Sequence, residues 1–252
     1  MNIHSFLEEK YLCYCTPAFI ESDPVQIPHL FERKEDIEIA GFLAASIAWG
    51  QRKAIIAGAK RLLNLMDNAP YDFVMHASTD ELQRLDTFVY RTLQPVDSLF
   101  FVSSLRHIYT NCEGLHGVFS GGYLATGSIF GALAHFRSVF METPHLHRSA
   151  KHVSDVQRGA SAKRLNMFLR WMVRGNDGID FGLWNDIPAS ALMLPLDVHT
   201  GNVGRRLELL TRKANDWKAV EEITANLRKF DPNDPVKYDF ALFGLGVFEG
   251  FK

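Results

Sequence analysis

The period of its apolar residues constrains this chain more than any other feature. Along most of its length those residues recur every three to four positions, and the alternating runs that mark strands are sparse. The clearest case is Leu165, Phe168, Leu169 and Met172, spaced as one buried helix face, while Lys163, Arg170 and Arg174 fall along another. The same period runs through Ile3 to Tyr11, Ile39 to Ile47, Ile55 to Leu63, Leu99 to Tyr109 and Val220 to Leu227. Such a chain is expected to be all-α. Its 252 residues, 47% of them hydrophobic, suffice for one large domain or two intimately packed halves.

Several function classes drop out. No apolar run approaches the roughly 18 to 20 residues of a membrane helix, and the start M-N-I-H-S-F-L-E-E-K lacks the basic and apolar regions of a signal peptide, so a cytoplasmic protein is expected. Cys13, Cys15 and Cys112 suit neither a zinc site nor a four-cysteine iron–sulfur cluster. The histidines from His107 to His152 form no H-x-x-x-H pair on a clear helix, so no metal site is expected. Gly114, Gly117, Gly121, Gly122 and Gly127 read as a loop before a helix at about 128–141; with no strand ahead, they are no dinucleotide fingerprint.

The net charge of −2 argues against a nucleic-acid partner, but its distribution says something different. Residues 145–174 hold seven Lys or Arg against Asp155 alone, a net of +6 that leaves −8 for the rest. A local basic face on an acidic body can bind a short stretch of duplex without adhering to DNA indiscriminately.

Gly159 and Ser161 are placed as a turn and an N-cap ahead of the Lys163 helix. A helix entered this way, flanked by Arg158, Lys163 and Arg164, offers a phosphate seat, the other reading being a solvated charged face. Asp197 follows Pro195 and heads a helix carrying Val203, Leu207 and Leu210, with Arg205 and Arg206 further along. Gln51 lies between two helices, either as a polar turn residue or as an amide reaching a base edge. Trp49 just before it is either core or a stacking platform.

The segment L-P-L-D-V-H-T-G-N-V-G-R-R-L resembles the one bearing the catalytic aspartate in helix-hairpin-helix DNA glycosylases, the superfamily of endonuclease III and the 8-oxoguanine glycosylases. There the motif reads roughly V-D-x-H-v-x-R-v-x-x-R-l. Upstream, A-K-R-L-N-M-F-L-R-W resembles their lysine-bearing helix, so the matching positions are Lys163 and Asp197. The hairpin signature L-P-G-V-G-x-x-T-A is reduced to R-G-A-S-A-K, and the lysine and aspartate lie 34 residues apart, longer than in most branches. Both departures are similar to the archaeal 8-oxoguanine glycosylases. Over its whole length the chain resembles a bacterial family within the superfamily.

The resemblance implies a helix-hairpin-helix DNA glycosylase-like fold over 1–252, with two helical subdomains, 35–145 and 1–34 plus 146–252, and a cleft between them. It implies Lys163 as the Schiff-base nucleophile and Asp197 as the carboxylate that stabilises the sugar cation. Gln51, Trp49, Met167, Asp239 and Phe243 fall to the base pocket; for Asp239 and Phe243 the bland reading is a capping acid and a core ring. Arg158, Gly159, Ser161, Arg164 and Arg205 fall to the DNA backbone. The implied partner is double-stranded DNA with a damaged base, 8-oxoguanine foremost, with no obligatory protein partner and no membrane, at the bacterial nucleoid. No cofactor or iron–sulfur cluster is implied, though a monovalent cation could sit at the hairpin. The reduced hairpin and the acidic net charge leave a second reading, a non-catalytic binder of bent or damaged DNA.

Overall fold

The computed structural model describes residues 2–175 and 177–251 and is all-helical. Its first seven α-helices are α1 (Ile3–Tyr14), α2 (Ala18–Ser22), α3 (Lys34–Ser46), α4 (Arg52–Leu65), α5 (Pro70–His76), α6 (Thr79–Gln83) and α7 (Pro95–Asn111). They are followed by α8 (Gly114–Thr126), α9 (Ile129–Phe140), α10 (Lys163–Val173), α11 (Val198–Arg206), α12 (Trp217–Arg228) and α13 (Tyr238–Val247). Short 3₁₀ turns punctuate them, and among the described residues β-type pairing is limited to the isolated bridges Tyr90–Leu93 and Ala160–Asp216. No helix among those residues is long and apolar enough to cross a membrane.

Local chemistry explains many of the boundaries. The Ser128 side chain accepts from Gly131 N, and that of Asp216 from Ala219 N, capping α9 and α12. Proline at the first position starts α5 and α7, where its missing N–H costs no helix bond. The glycine-rich stretch corrects an expectation, because Gly114 to Thr126 is helix α8 rather than a loop. Gly122 permits close packing: a Cβ there would lie 2.9 Å from Ala132 Cα of α9. Leu115, Val118 and Phe119 supply the buried side, and the Phe119 ring stacks on Phe136 at 4.3 Å.

The chain divides into two compact units, residues 22–154 (the central unit) and residues 1–21 with 155–252 (the terminal unit). The expected boundaries lay at 34/35 and 145/146, and packing explains the differences. The 3₁₀ turns Pro24–Gln26 and Pro28–Leu30 pack on α3 and so belong to the central unit. The turn His147–His152 is tied to α7. The central core is largely aromatic, built on Phe42, Phe101, Phe136 and Phe140. In the terminal unit α13 packs between α1 and α11, while Phe168 meets Trp184 edge-on at 5.4 Å.

The tie to α7 is a buried carboxylate. Asp97 is fully enclosed and accepts from Ser149 Oγ at 2.6 Å, Gln94 N at 2.8 Å and Arg148 Nη1 at 2.7 Å, with His152 Nε2 at 3.2 Å. Burial pushes this carboxyl up, but the Ser149 and Gln94 hydrogen bonds and the neighbouring His152 and Arg148 outweigh it and hold it below the usual range. Its stabilising contribution is therefore present above the unfolded-state value and is lost as pH falls through the folded one. Asp97→Ala removes the acceptor and leaves its donors unmatched, for an expected loss of about 2–4 kcal/mol at neutral pH. Chemical denaturation should show that loss shrinking toward pH 3.

Candidate active site

Lys163 opens α10, and the segment leading to it departs from the expected hairpin. Residues 156–158 form a single 3₁₀ turn, not an α-helix, whose first N–H groups are capped by Asp155 Oδ1. Gly159 then turns the chain at φ +84°, and its carbonyl accepts from Trp217 N at 3.0 Å. Ser161 is not the N-cap. That position belongs to Ala162, left-handed at φ +49° with no side-chain cap bond, while the Ser161 carbonyl accepts from Asn166 Nδ2 at 3.1 Å. A left-handed residue at the helix entry moves the cap one place on, and the first turn of α10 begins with two cations and no acid. Half-buried Lys163 donates from Nζ to Met167 Sδ at 3.7 Å, one helical turn on.

Asp197 is the N-cap of α11. Its Oδ1 accepts from His199 N at 2.8 Å and Thr200 N at 3.0 Å, and Asp197 N donates back to Thr200 Oγ1 at 2.9 Å, a reciprocal capping box. The described residues give Oδ2 no hydrogen bond, so one carboxylate oxygen stays open while the other fixes the side chain. A second brace stands behind it. Arg205 donates to Asn215 Oδ1 at 2.6 Å, and Asn215 Nδ2 donates to the Asp197 carbonyl at 3.1 Å. Gly201 makes room for this, since a Cβ there would come within 2.8 Å of Asn215 Oδ1.

Asp239 lies in the first turn of α13. Its side chain is about nine-tenths buried, and Oδ2 accepts from Arg170 Nη1 at 2.5 Å. Burial is the main influence raising this carboxyl; Arg170 opposes it, the Asp197 charge adds to it and the Lys163 charge opposes it, leaving the group pushed up to about 6. Lys163 and Asp197 are thus each near enough to Asp239 for their charges to act on its carboxyl. Arg170 also lies 3.3 Å from Asp180, which burial likewise pushes up to about 6 against the Arg170 and Arg174 charges. Arg174 pairs with Asp180 at 3.1 Å, with Asp234 at 2.7 Å and with Asp177, so its guanidinium is held firmly charged despite burial.

These pairings correct the expected basic face. Arg170 and Arg174 are buried and neutralised, Arg148 belongs to the Asp97 cluster, and Arg158 lies 3.6 Å from Asp155 while remaining exposed. Burial lowers the half-buried Arg164 to about 10. Arg205, expected at a phosphate, is occupied by the Arg212 and Lys213 carbonyls as well as Asn215. Exposed Arg158 and open-faced Gly159 are the backbone-contact candidates left most accessible.

Among the base-pocket candidates, Met167 is buried beside Lys163, and Phe243 is half-buried with Phe19 at 6.1 Å and Phe248 at 6.4 Å. Trp49 and Gln51 belong to the central unit. The Trp49 ring meets Tyr90 edge-on at 5.5 Å, stacks with His152 at 6.3 Å and is half-buried. Gln51 holds the N-cap position of α4, and its exposed side chain makes no cap bond. Among the described residues no group of three or more His, Cys, Asp or Glu side chains is placed to hold a metal ion.

Sequence reasoning missed Asp180, Asn215 and the role of Arg170. The Arg170 spacing, two turns from Lys163 on α10, was the only available signal. What fold and site define is an all-helical protein whose terminal unit carries a lysine heading one helix, an aspartate capping another and a buried, arginine-held aspartate in a third. The chain belongs to the family described as "Protein of unknown function (DUF2400)", whose model matches residues 23–248. No curated protein and no solved structure matches it.

Proposed function

We propose that this protein is a DNA base-excision glycosylase with AP-lyase activity, built on a helix-hairpin-helix glycosylase-like plan and acting on an oxidised purine, 8-oxoguanine foremost. The observation that carries the reading is that Lys163 and Asp197, 34 residues apart, both bring their charge to bear on the buried Asp239. Breaking a base–sugar bond builds positive charge on the sugar. The open Oδ2 of a carboxylate fixed by its own cap is suited to stabilise that charge without reorganising. The neutral Lys163 amine attacks the anomeric carbon, the base leaves, and the resulting Schiff base permits strand cleavage by β-elimination.

The base must first leave the helical stack, at a cost of a few kcal/mol. Backbone contacts near Arg158 and Gly159 would offset part of that cost. With Arg148, Arg170 and Arg174 engaged internally, few phosphate contacts remain in the basic stretch, so affinity for intact duplex is expected to be weak.

The test is release of free base from duplexes each carrying one lesion, read by chromatography beside binding at low salt. Release from an oxidised purine supports the reading. Salt-dependent binding to distorted duplexes with no release from any lesion would favour the silent binder, and negligible binding at low salt would remove DNA from the account.

A further inference from the structure

We propose that the outward face of α4 is a sequence-independent seat for the phosphate backbone of duplex DNA, formed by Lys53, Lys60 and Arg61 with Arg91 beside them. The surface lies wholly on the central unit. Its choice of partner rests on the glycosylase reading, and it uses none of the Lys163 chemistry.

α4 is sharply two-sided. Ile55, Gly58, Ala59, Leu62 and Leu63 are buried, while Lys53, Ala57, Lys60, Arg61 and Asn64 are exposed. At about 3.6 residues per turn, those five exposed positions fall within about a third of the helix circumference. Lys53 and Lys60 stand almost in line, about 10 Å apart along the axis, which is close to three base-pair steps of a duplex. Ala57 between them is small, so a bulky partner can approach both ammonium groups.

Residues 88–91 extend this face. Arg61 donates to the Val89 carbonyl and lies over the Phe88 ring at 4.9 Å, which holds an exposed guanidinium in place. Tyr90 packs on the same helix, since a Cβ at Gly58 would lie 2.7 Å from its ring. Arg91, exposed and left-handed at φ +54°, sets its guanidinium against Gly50, just ahead of α4.

Among the described residues none of these four cations is paired with an acid. The acids of α3, which packs on α4, are committed elsewhere: Glu35 to Arg33, Asp36 to Tyr71 N and Glu38 to Tyr109. Asp23 accepts from Val25 N, and Asp67, just past the end of α4, pairs with Arg84 at 2.6 Å. Asp86, in the 3₁₀ turn Arg84–Thr87, is the exposed acid that remains nearby, so four cations against one acid leave a net of +3.

The chemistry of the face singles out a duplex backbone. The apolar side of α4 is already buried, which leaves the helix nothing to insert into a lipid surface. Its exposed positions carry no aromatic side chain on which an unpaired base could stack. Lysine ammonium groups hold phosphates as point charges without reading base edges. Arg148, Arg170 and Arg174, by contrast, are engaged within the fold.

The test is fluorescence anisotropy with a labelled, undamaged DNA duplex, titrated from low to physiological salt, with folding of each variant checked by circular dichroism. Four phosphate contacts at about 0.9 each should give log affinity against log salt a wild-type slope of about −3.5 or steeper. In Lys53→Gln/Lys60→Gln/Arg91→Gln the affinity at low salt should fall about 10- to 50-fold and the slope should become shallower by about 2.7. Should that chain not fold, Lys53→Gln/Lys60→Gln carries the same test with a change in slope of about 1.8. Lys213→Gln/Lys218→Gln/Lys229→Gln removes as many exposed cations from the terminal unit and should change affinity less than about threefold. Unchanged binding in the α4 variant, an equal loss in the control, or no wild-type binding at low salt would overturn the proposal. Polyglutamate that displaces the labelled duplex as well as unlabelled duplex does at equal charge would also overturn it, pointing to an acidic protein instead. Binding that depends on the α4 cations without base release from any lesion leaves this surface standing and removes the glycosylase reading; base release with binding unchanged in the α4 variant does the reverse.

Discussion

Lys163→Gln is expected to abolish the borohydride-trapped adduct on abasic and lesion duplexes alike, with duplex affinity changed less than threefold. Glutamine keeps much of the side-chain length and helix propensity at the head of α10 but offers no amine to form a Schiff base. The companion change, Asp197→Asn, separates charge from structure. Asparagine caps helices about as well as aspartate, so the bonds to His199 N and Thr200 N should survive while the negative charge is lost. Base release should then slow by about 10²- to 10³-fold, the scale seen when a single preorganised transition-state contact is removed. A large drop in duplex binding with either change, or unchanged turnover, would count against these roles.

The second large effect is on stability. Arg170→Met should cost about 3–5 kcal/mol at pH 7.5, because Asp180 and Asp239 are then left buried without the cation between them. For a chain of this size that is a fall in Tm of roughly 10 °C. The pH dependence has a definite sign. Both carboxyls sit at about 6 in the folded protein, above an unfolded value near 3.9, so between those values the folded state binds more protons. Their contribution to stability is full below about 4 and is lost as pH rises through 6. Removing Arg170 raises both further, so the variant should recover much of its deficit at pH 5, where the acids are neutral. Melts at pH 5 and 7.5 showing an equal deficit would mean the loss comes from packing against Phe240, which lies under the guanidinium at 4.3 Å.

Where an element's cause is local, the sequence announced it. Asp197 after Pro195, Asp216 before an apolar-periodic run and the stripe from Leu165 to Met172 each carry their own signal, and α11, α12 and α10 begin within one or two residues of where those signals place them. Ser161 failed as a cap because the chain turns left-handed at Ala162, a conformation nothing in R-G-A-S-A-K requires. Residues 114–126 failed because glycine content speaks for turns, whereas Gly122 sits inside the helix to let it pack closely on α9. The sharpest loss was the basic stripe. Helical period shows that Arg170 and Arg174 share a face but cannot show what that face meets, and their partners Asp234 and Asp239 arrive 60 and 69 residues later. A charge count therefore suggested a DNA-facing surface where the fold built an internal ion network. The same long-range pairing places Asp239 where the Lys163 and Asp197 charges act on it.

The most direct test of the central claim is to trap the wild-type protein with borohydride on an 8-oxoguanine duplex, digest the product and locate the nucleotide remnant by mass spectrometry. A remnant on Lys163, absent from Lys163→Gln, is the predicted result. A remnant on another lysine, or no covalent product on any oxidised purine, would contradict it.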